Sequence, residues 1–333
     1  MEITNNHGIS LMMAVWLLHD EYDYQKGDNY ISATSLLKST KQIILSKRVP
    51  ATEREADLVD FLASRFGHAV HDSIEKAWRS NRLPQYIQKL GYPEHIANSL
   101  VVNPEQADFD ANPDLIPIWI EQRAIKEITL PDGTKWKIGG KFDMVLDRRL
   151  HDTKTTSVYA YIKRSKDDDY GLQGGIYRWL NPDKIDNEYV FIQFLFTDWQ
   201  RSMAKQNPDY PQQKAVEHPV LMPSNEDVEA FIIGKVQELA RLWDAPEDKL
   251  PECTDKELGR SDPQFKYYTD PEKAKDPNAR SSKNFDSLAE ANAYLREKGK
   301  GVVITKLGEA KACEYCPAFE VCKQKEQYFA QGN

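Results

Sequence analysis

Asp143, Asp152 and Lys154, with His71 upstream, are the residues whose types and spacing could carry out a reaction. Hydrolysing a phosphodiester requires divalent cations that neutralise developing charge and lower the pKa of a bound water, held by oxygen ligands that suit hard Mg²⁺ or Mn²⁺. Asp143 and Asp152 would supply those oxygens. A lysine beside them can stabilise the transition state or help to orient and deprotonate the attacking water, which is the role open to Lys154. Taken alone, an Asp-x-Lys triplet is close to noise in a chain with 29% charged residues and reads by default as an exposed strand edge. A single histidine beside an apolar helix stripe is likewise more often a hydrogen-bonded core residue than a ligand. Context decides between these readings.

A second group consists of the only cysteines, Cys253, Cys313, Cys316 and Cys322, in which the last three follow C-x₂-C-x₅-C. In a cytosolic chain stable disulfides are not expected, and a close thiolate cluster usually means a metal. Four thiolates suit either a [4Fe–4S] cluster or a structural tetrahedral zinc, and spacing alone does not separate them. Pro317 and Phe319 inside the loop read as a compact knuckle with a structural role.

These residues need elements to position them. Residues 1–50 read as an irregular or partly helical lead-in. A capping box between Thr52 and Glu55 then predicts a long helix to about Ser80, with Leu58, Leu62, Phe66, Ala69, Ser73 and Ala77 as its buried stripe. Gly67 and His71 lie one turn apart beside that stripe, the glycine leaving room for a metal or phosphate. His68, turned about 100° away, is not selected. Ile118 to Ile128 and Trp136 to Leu146 read as a hairpin around the Pro131-Asp132-Gly133 turn. Trp136, Ile138, Phe142, Met144 and Leu146 share one parity, so Asp143 should face the other way. A short strand over Leu150 to Lys154 follows, and side chains two apart in a strand share a face, so Asp152 and Lys154 point together. Gln173 and Tyr177 project from one face of a helix ending near Asn181-Pro182, and Tyr189 to Phe196 is apolar on both parities, as a buried central strand would be. Residues 225–243 form an amphipathic helix, after which charge, Pro and Ser across 245–285 mark a linker or extension.

Composition sets the outer limits. At 333 residues, 40% hydrophobic and 11% aromatic, the chain can bury a sizeable core and is not globally disordered. No run approaches the roughly 18 apolar residues that cross a bilayer, and no secretory signal opens the chain, so a cytoplasmic protein without a membrane partner is expected. The net charge of −8 argues at first against a polyanionic partner. Local basic groups, Lys38, Lys41, Lys47, Arg48, Lys163, Arg164 and Lys166, could still line a DNA track or be ordinary solvated surface charges.

Read in order, Gly67-x-x-x-His71, Gly140-x-x-Asp143, Asp152-x-Lys154 and Gln173-x-x-x-Tyr177 resemble the RecB-like branch of the PD-(D/E)xK nucleases across roughly residues 60–200. The resemblance implies an α/β fold, with a restriction-endonuclease-like core whose mixed central sheet is flanked by helices. By the same resemblance His71, Asp143 and Asp152 would be metal ligands, the Thr153 carbonyl a further ligand, and Lys154 the catalytic lysine. Gln173 and Tyr177 would position the DNA strand and the active-site groups, and Glu121 is similar to an additional acidic residue of some members. A RecB-like core joined to four cysteines resembles AddB and the CRISPR adaptation nucleases, which implies an iron–sulfur cluster. Those proteins place the first cysteine upstream of the nuclease motifs, whereas Cys253 lies downstream, which keeps structural zinc open.

The implied organisation is a lead-in over 1–50, a nuclease core over 51–245 and a C-terminal extension over 246–333 with the cysteine cluster. The implied activity is Mg²⁺- or Mn²⁺-dependent hydrolysis of DNA, by an exonuclease rather than an endonuclease, acting on linear or single-stranded ends in replication, recombination or repair in a bacterial or phage-infected cell. The chain has no Gly-x-x-x-x-Gly-Lys-Ser/Thr loop, so unwinding would fall to a partner helicase, and a strand-annealing protein is a second candidate partner. The competing class is a DNA-binding or scaffold protein with a vestigial metal site.

Overall fold

Alternating apolar residues and a Pro-Asp-Gly turn make the hairpin read above the hub of the first half of the chain. In the computed structural model, which describes residues 2–25, 27, 29–50, 55–276 and 279–329, β5 (Ile116–Thr129) and β6 (Lys135–Leu146) pair antiparallel. Leu130 N donates to Thr134 O at 2.8 Å, and Gly133 takes the positive φ that closes the turn. Trp136, Ile138, Phe142 and Met144 are buried, as their shared parity predicts. β7 (Arg149–Thr156) folds back antiparallel on β6 through Asp147 and Arg148, both in the left-handed region that a two-residue hairpin turn demands.

Two compact units emerge: Met1–Leu37 with Thr52–Ala240, and Lys38–Ala51 with Arg241–Asn333. The first contains β1 (Glu2–Thr4), α1 (Leu11–Leu18), β2 (Tyr30–Ser32) and α2 (Ala33–Leu36), then β3 (Glu55–Asp57), α4 (Leu62–Trp78), α5 (Leu83–Lys89), α6 (Glu94–Ser99), β4 (Leu100–Val102) and α7 (Gln106–Ala111) ahead of the hairpin. After β7 come α8 (Val158–Lys163), α9 (Asp167–Leu180), β8 (Tyr189–Phe196), α10 (Arg201–Gln206), β9 (Ala215–Leu221) and α11 (Asn225–Leu242). Its sheet is mixed, ordered β4-β5-β6-β7-β8-β9, with β2 also paired to β6. β7 and β8 are parallel, so the chain must cross over between them, and α8 and α9 form the crossover. Helices flank this sheet, making the unit α/β. The second unit holds α3 (Thr40–Arg48), the three-stranded sheet of β10 (Gln264–Tyr268), β11 (Lys283–Phe285) and β12 (Val302–Lys306), and the helices α12 (Leu288–Lys298), α13 (Lys311–Glu314) and α14 (Glu326–Phe329). Among the described residues, no helix is long and apolar enough to cross a membrane.

Several expectations are corrected. The units do not follow the divisions at 50/51 and 245/246: residues up to Leu37 belong with the large sheet, while Lys38–Ala51 folds with the cysteine-bearing unit. Residues 245–285 are no linker, because β10 and β11 pair within them. The Thr52 end of the expected capping box lies outside the described residues. Glu55 is in a strand, and the capping box is instead formed by Asp57 with Asp60 on the 3-10 turn Leu58–Phe61 that leads into the helix. The helix also buries a different face. Phe66 is 49% exposed and Ala69, Ser73 and Ala77 are exposed, whereas Ile74 and Trp78 pack against Leu83, Ile87, Ile118 and Ile120. The apolar pattern was out of phase because α4 directs polar residues, Arg65 and His71, toward its partners. Among the basic groups, Lys41 is buried and so is not a solvated track residue, while exposed Arg48 donates to the Trp243 and Ala245 carbonyls and half-buried Arg164 stacks on Tyr161.

Ile138, wholly buried at the junction of β2, β5 and β6, tests this core. Ile138→Ala should cost about 3 kcal/mol, read as a lower urea midpoint at unchanged slope. A midpoint within error of wild type would mean that this face of β6 is not the core.

Candidate functional site

Continuing the β6–β7 register one step beyond the Met144–His151 pair sets Asp143 opposite Asp152 on one face of the sheet. Thr153 N donates to Asp143 Oδ2 at 2.8 Å. From α4, His71 Nδ1 lies 3.2 Å from the same oxygen and Nε2 lies 3.1 Å from Thr153 O, so the imidazole bridges the two strands. Lys154 Nζ stands 2.7 Å from Asp152 Oδ2, an oxygen that is buried and has this ion pair but no hydrogen bond of good geometry. Glu121 joins the group from β5. The β5–β6 ladder skips its pairing with Asp143, and Glu121 has φ 52°, a conformation disfavoured for a side chain with Cβ. That local distortion turns the carboxylate inward: one ligand atom from each of His71, Glu121 and Asp143 lies within 4.8 Å of the others.

Gln173 and Tyr177, one turn apart on α9, form the next layer. Gln173 Nε2 donates to Tyr177 Oη at 2.8 Å, and the tyrosine is only 5% exposed, so the pair braces the floor of the site. Gly140 makes that possible, because a Cβ there would meet the Tyr177 ring at 2.8 Å. At Gly67, where the sequence suggests room for a ligand, a Cβ would stand 3.4 Å from Thr155 Oγ1, at the edge of ordinary contact between α4 and β7. His71, Glu121, Asp143, Asp152, Lys154, Gln173 and Tyr177 line one cavity of about 570 Å³.

The electrostatics are those of a site built around positive charge. Burial and the neighbouring Asp152 hold the Asp143 carboxyl well above its ordinary value. Burial would lower the Lys154 ammonium, but Asp152 and Asp143 outweigh it and hold it above. Burial, with the same carboxylates, raises Tyr177 well above, keeping it a neutral phenol. Imidazole and carboxylate donors at this spacing fit a small divalent cation, which would relieve the repulsion that raises Asp143.

Sequence reasoning missed several wall residues. Lys141 pairs with Glu121 at 2.5 Å, Glu75 lies one turn beyond His71, and Trp16, Asp20 and Tyr22 come from the lead-in. Arg65 fastens that segment, donating from Nε to Leu17 O at 2.8 Å and facing Asp20 and His68. The acidic and aromatic run Asp20-Glu21-Tyr22-Asp23 was the available signal.

In the second unit the four cysteines line one small cavity with Lys41, Leu45, Leu258, Phe319 and Gln324. Successive turns, Cys316 N to Cys313 O and Phe319 N to Cys316 O, wind the C-terminal three into a knuckle. Buried Gln324 clamps the fourth, accepting from Cys253 N at 2.9 Å and donating to Cys253 O at 3.1 Å. All four are free thiols. Burial and the neighbouring sulfurs push Cys313 up to about 11, and burial also raises Cys253 and Cys316. Four soft sulfur donors lining one space are the donor set of a thiophilic metal, which would displace the protons that burial otherwise retains, but among the described residues they do not meet the 4.8 Å spacing that His71, Glu121 and Asp143 meet.

No protein family matches the chain, and no curated protein matches it. Among solved structures it is similar to the crystal structure of SSO0001, with 15% identity and a TM-score of 0.41, covering 71% of this chain and 86% of that one.

A carboxyl held above its ordinary value binds its proton more tightly folded than unfolded, so metal-free stability falls as pH rises through that raised value. Metal-free Asp143→Asn should therefore melt above wild type at pH 7, with the gap closing toward pH 4, and Mn²⁺ should raise the Tm of wild type only. Thermal denaturation across pH checks this; a gap independent of pH would contradict it.

Proposed function

We propose that this chain is a metal-dependent deoxyribonuclease with a PD-(D/E)xK core, and that it acts as an exonuclease on linear or single-stranded DNA ends. The observation that carries this reading is the His71, Glu121 and Asp143 group within 4.8 Å, in the same cavity as Asp152, Lys154, Gln173 and Tyr177. Mg²⁺ or Mn²⁺, when bound, would lower the pKa of a water and offset charge on the scissile phosphate. His71, Asp143, Asp152 and the Thr153 carbonyl are the proposed ligands, and Glu121 joins them. Lys154 keeps its proton beside Asp152 and supplies positive charge to the attacked phosphate. Gln173 fixes the Tyr177 hydroxyl, and together they hold the wall against which the carboxylates are set.

The cysteine unit is read as a structural metal site. Its four thiols lining one cavity support a metal, and the motif resemblance favours [4Fe–4S] over zinc. The proposed setting is cytoplasmic DNA replication, recombination or repair, with a helicase or a strand-annealing protein as partner.

Incubation with end-labelled linear and circular DNA tests the activity. Linear DNA should be degraded with Mn²⁺ or Mg²⁺, spared with EDTA, and closed circles should persist. Lys154→Ala should lose about 10²–10³ in rate, and Asp143→Ala should show no cleavage. Cation-independent or absent cleavage, or full activity in both variants, would favour a DNA-binding scaffold.

A further inference from the structure

Residues Lys38–Ala51 fold with the second unit, and the start of α3 reaches the cysteine cavity. Ser39, buried, is the N-cap of α3: its Oγ accepts from Gln42 N at 3.0 Å and stands 3.1 Å from Cys253 Sγ. A cap oxygen engaged by a backbone N–H still has its own hydrogen to give. A thiolate has none, so once Cys253 carries a metal the serine must be the donor.

Lys41, two residues on, is only 5% exposed and lines the same cavity. Among the described residues, no carboxylate is paired with it. Lysines are almost never this buried without a counter-charge, and the groups on which these lysines act are sulfurs that would become anionic on binding a metal: Lys41 acts on Cys253, and Lys38 on Cys316. The remaining lysine of the cavity wall, Lys325, already pairs with Glu320. A divalent zinc with four thiolates and an oxidised [4Fe–4S] core with four thiolates are both dianions. Either would meet one O–H and one ammonium supplied by the same turn of helix.

We infer that Ser39 and Lys41 are positioning residues for a dianionic metal–tetrathiolate group, Ser39 donating to the Cys253 sulfur and Lys41 offsetting the charge. This rests on reading the four cysteines as metal ligands. It explains why this short stretch folds with the cysteine unit while its neighbours in sequence on both sides join the other.

The test uses the full chain, purified anaerobically, with iron, sulfide and zinc analysis to identify the metal. Release is then followed with bathophenanthroline for iron or pyridylazoresorcinol for zinc. Ser39→Ala and Lys41→Met should each release metal about tenfold faster than wild type, as loss of an outer contact to a ligand does, while Ser39→Thr and Lys41→Arg stay close to the wild-type rate. If the metal is iron, the two disruptive variants should also shift the one-electron reduction equilibrium about tenfold toward the oxidised form, equivalent to 59 mV. Metal bound in wild type but released at one rate from all four variants would overturn this inference alone. Thr and Arg variants as fast as Ala and Met would overturn it too, since packing rather than donation and charge would then be at work. A wild-type chain with no stoichiometric metal would sink the ligand reading itself, and the inference with it.

Discussion

Two carboxylates held face to face in a buried pocket are the constraint around which the first unit is organised. Asp143 and Asp152 stand on adjacent antiparallel strands, and sheet geometry gives them no freedom to separate. The surrounding contacts read as compensation: a backbone N–H and an imidazole on Asp143, an ammonium on Asp152. What they leave is a carboxyl that keeps its proton more tightly than an ordinary aspartate. Stability is given up locally at this pair, as the proposed cation site would require, and the left-handed Glu121 beside it carries strain in the backbone as well.

Precision at that pocket comes from helices brought close to the sheet. α9 approaches the sheet through a glycine, since a Cβ at Gly174 would meet Val190 of β8 at 2.9 Å, while one at Gly175 would meet Val228 of α11 at 2.8 Å. The near contact lets Gln173 and Tyr177 reach under β6, where Gly140 yields the space. α4 lies along β7 and carries His71 into contact with two strands at once. Rigid elements, rather than loops, therefore hold most of the side chains that would touch a cation.

A different physics governs the cysteine unit. Its sheet has three short strands, and beside buried apolar residues such as Ile44, Leu250 and Leu258 it holds four thiols, a buried amide clamp and a buried lysine. Small units of this kind commonly depend on a bound metal for their fold.

Periodicity and local chemistry were enough, without coordinates, to define β5, β6, β7, β8, α9 and α11 and to set Asp152 beside Lys154, because alternation and turn residues are properties of neighbouring positions. Proximity in sequence also marked Gln173 with Tyr177 and the knuckle of three cysteines. Only tertiary structure decided the rest. The face that α4 buries, the return of residues 11–23 to the cavity wall, the inward turn of Glu121 and the meeting of Ser39 and Lys41 with Cys253 all depend on contacts between distant segments. No local pattern encodes those contacts, since the free energy that selects them is that of whole surfaces fitting together and of charges finding partners far along the chain.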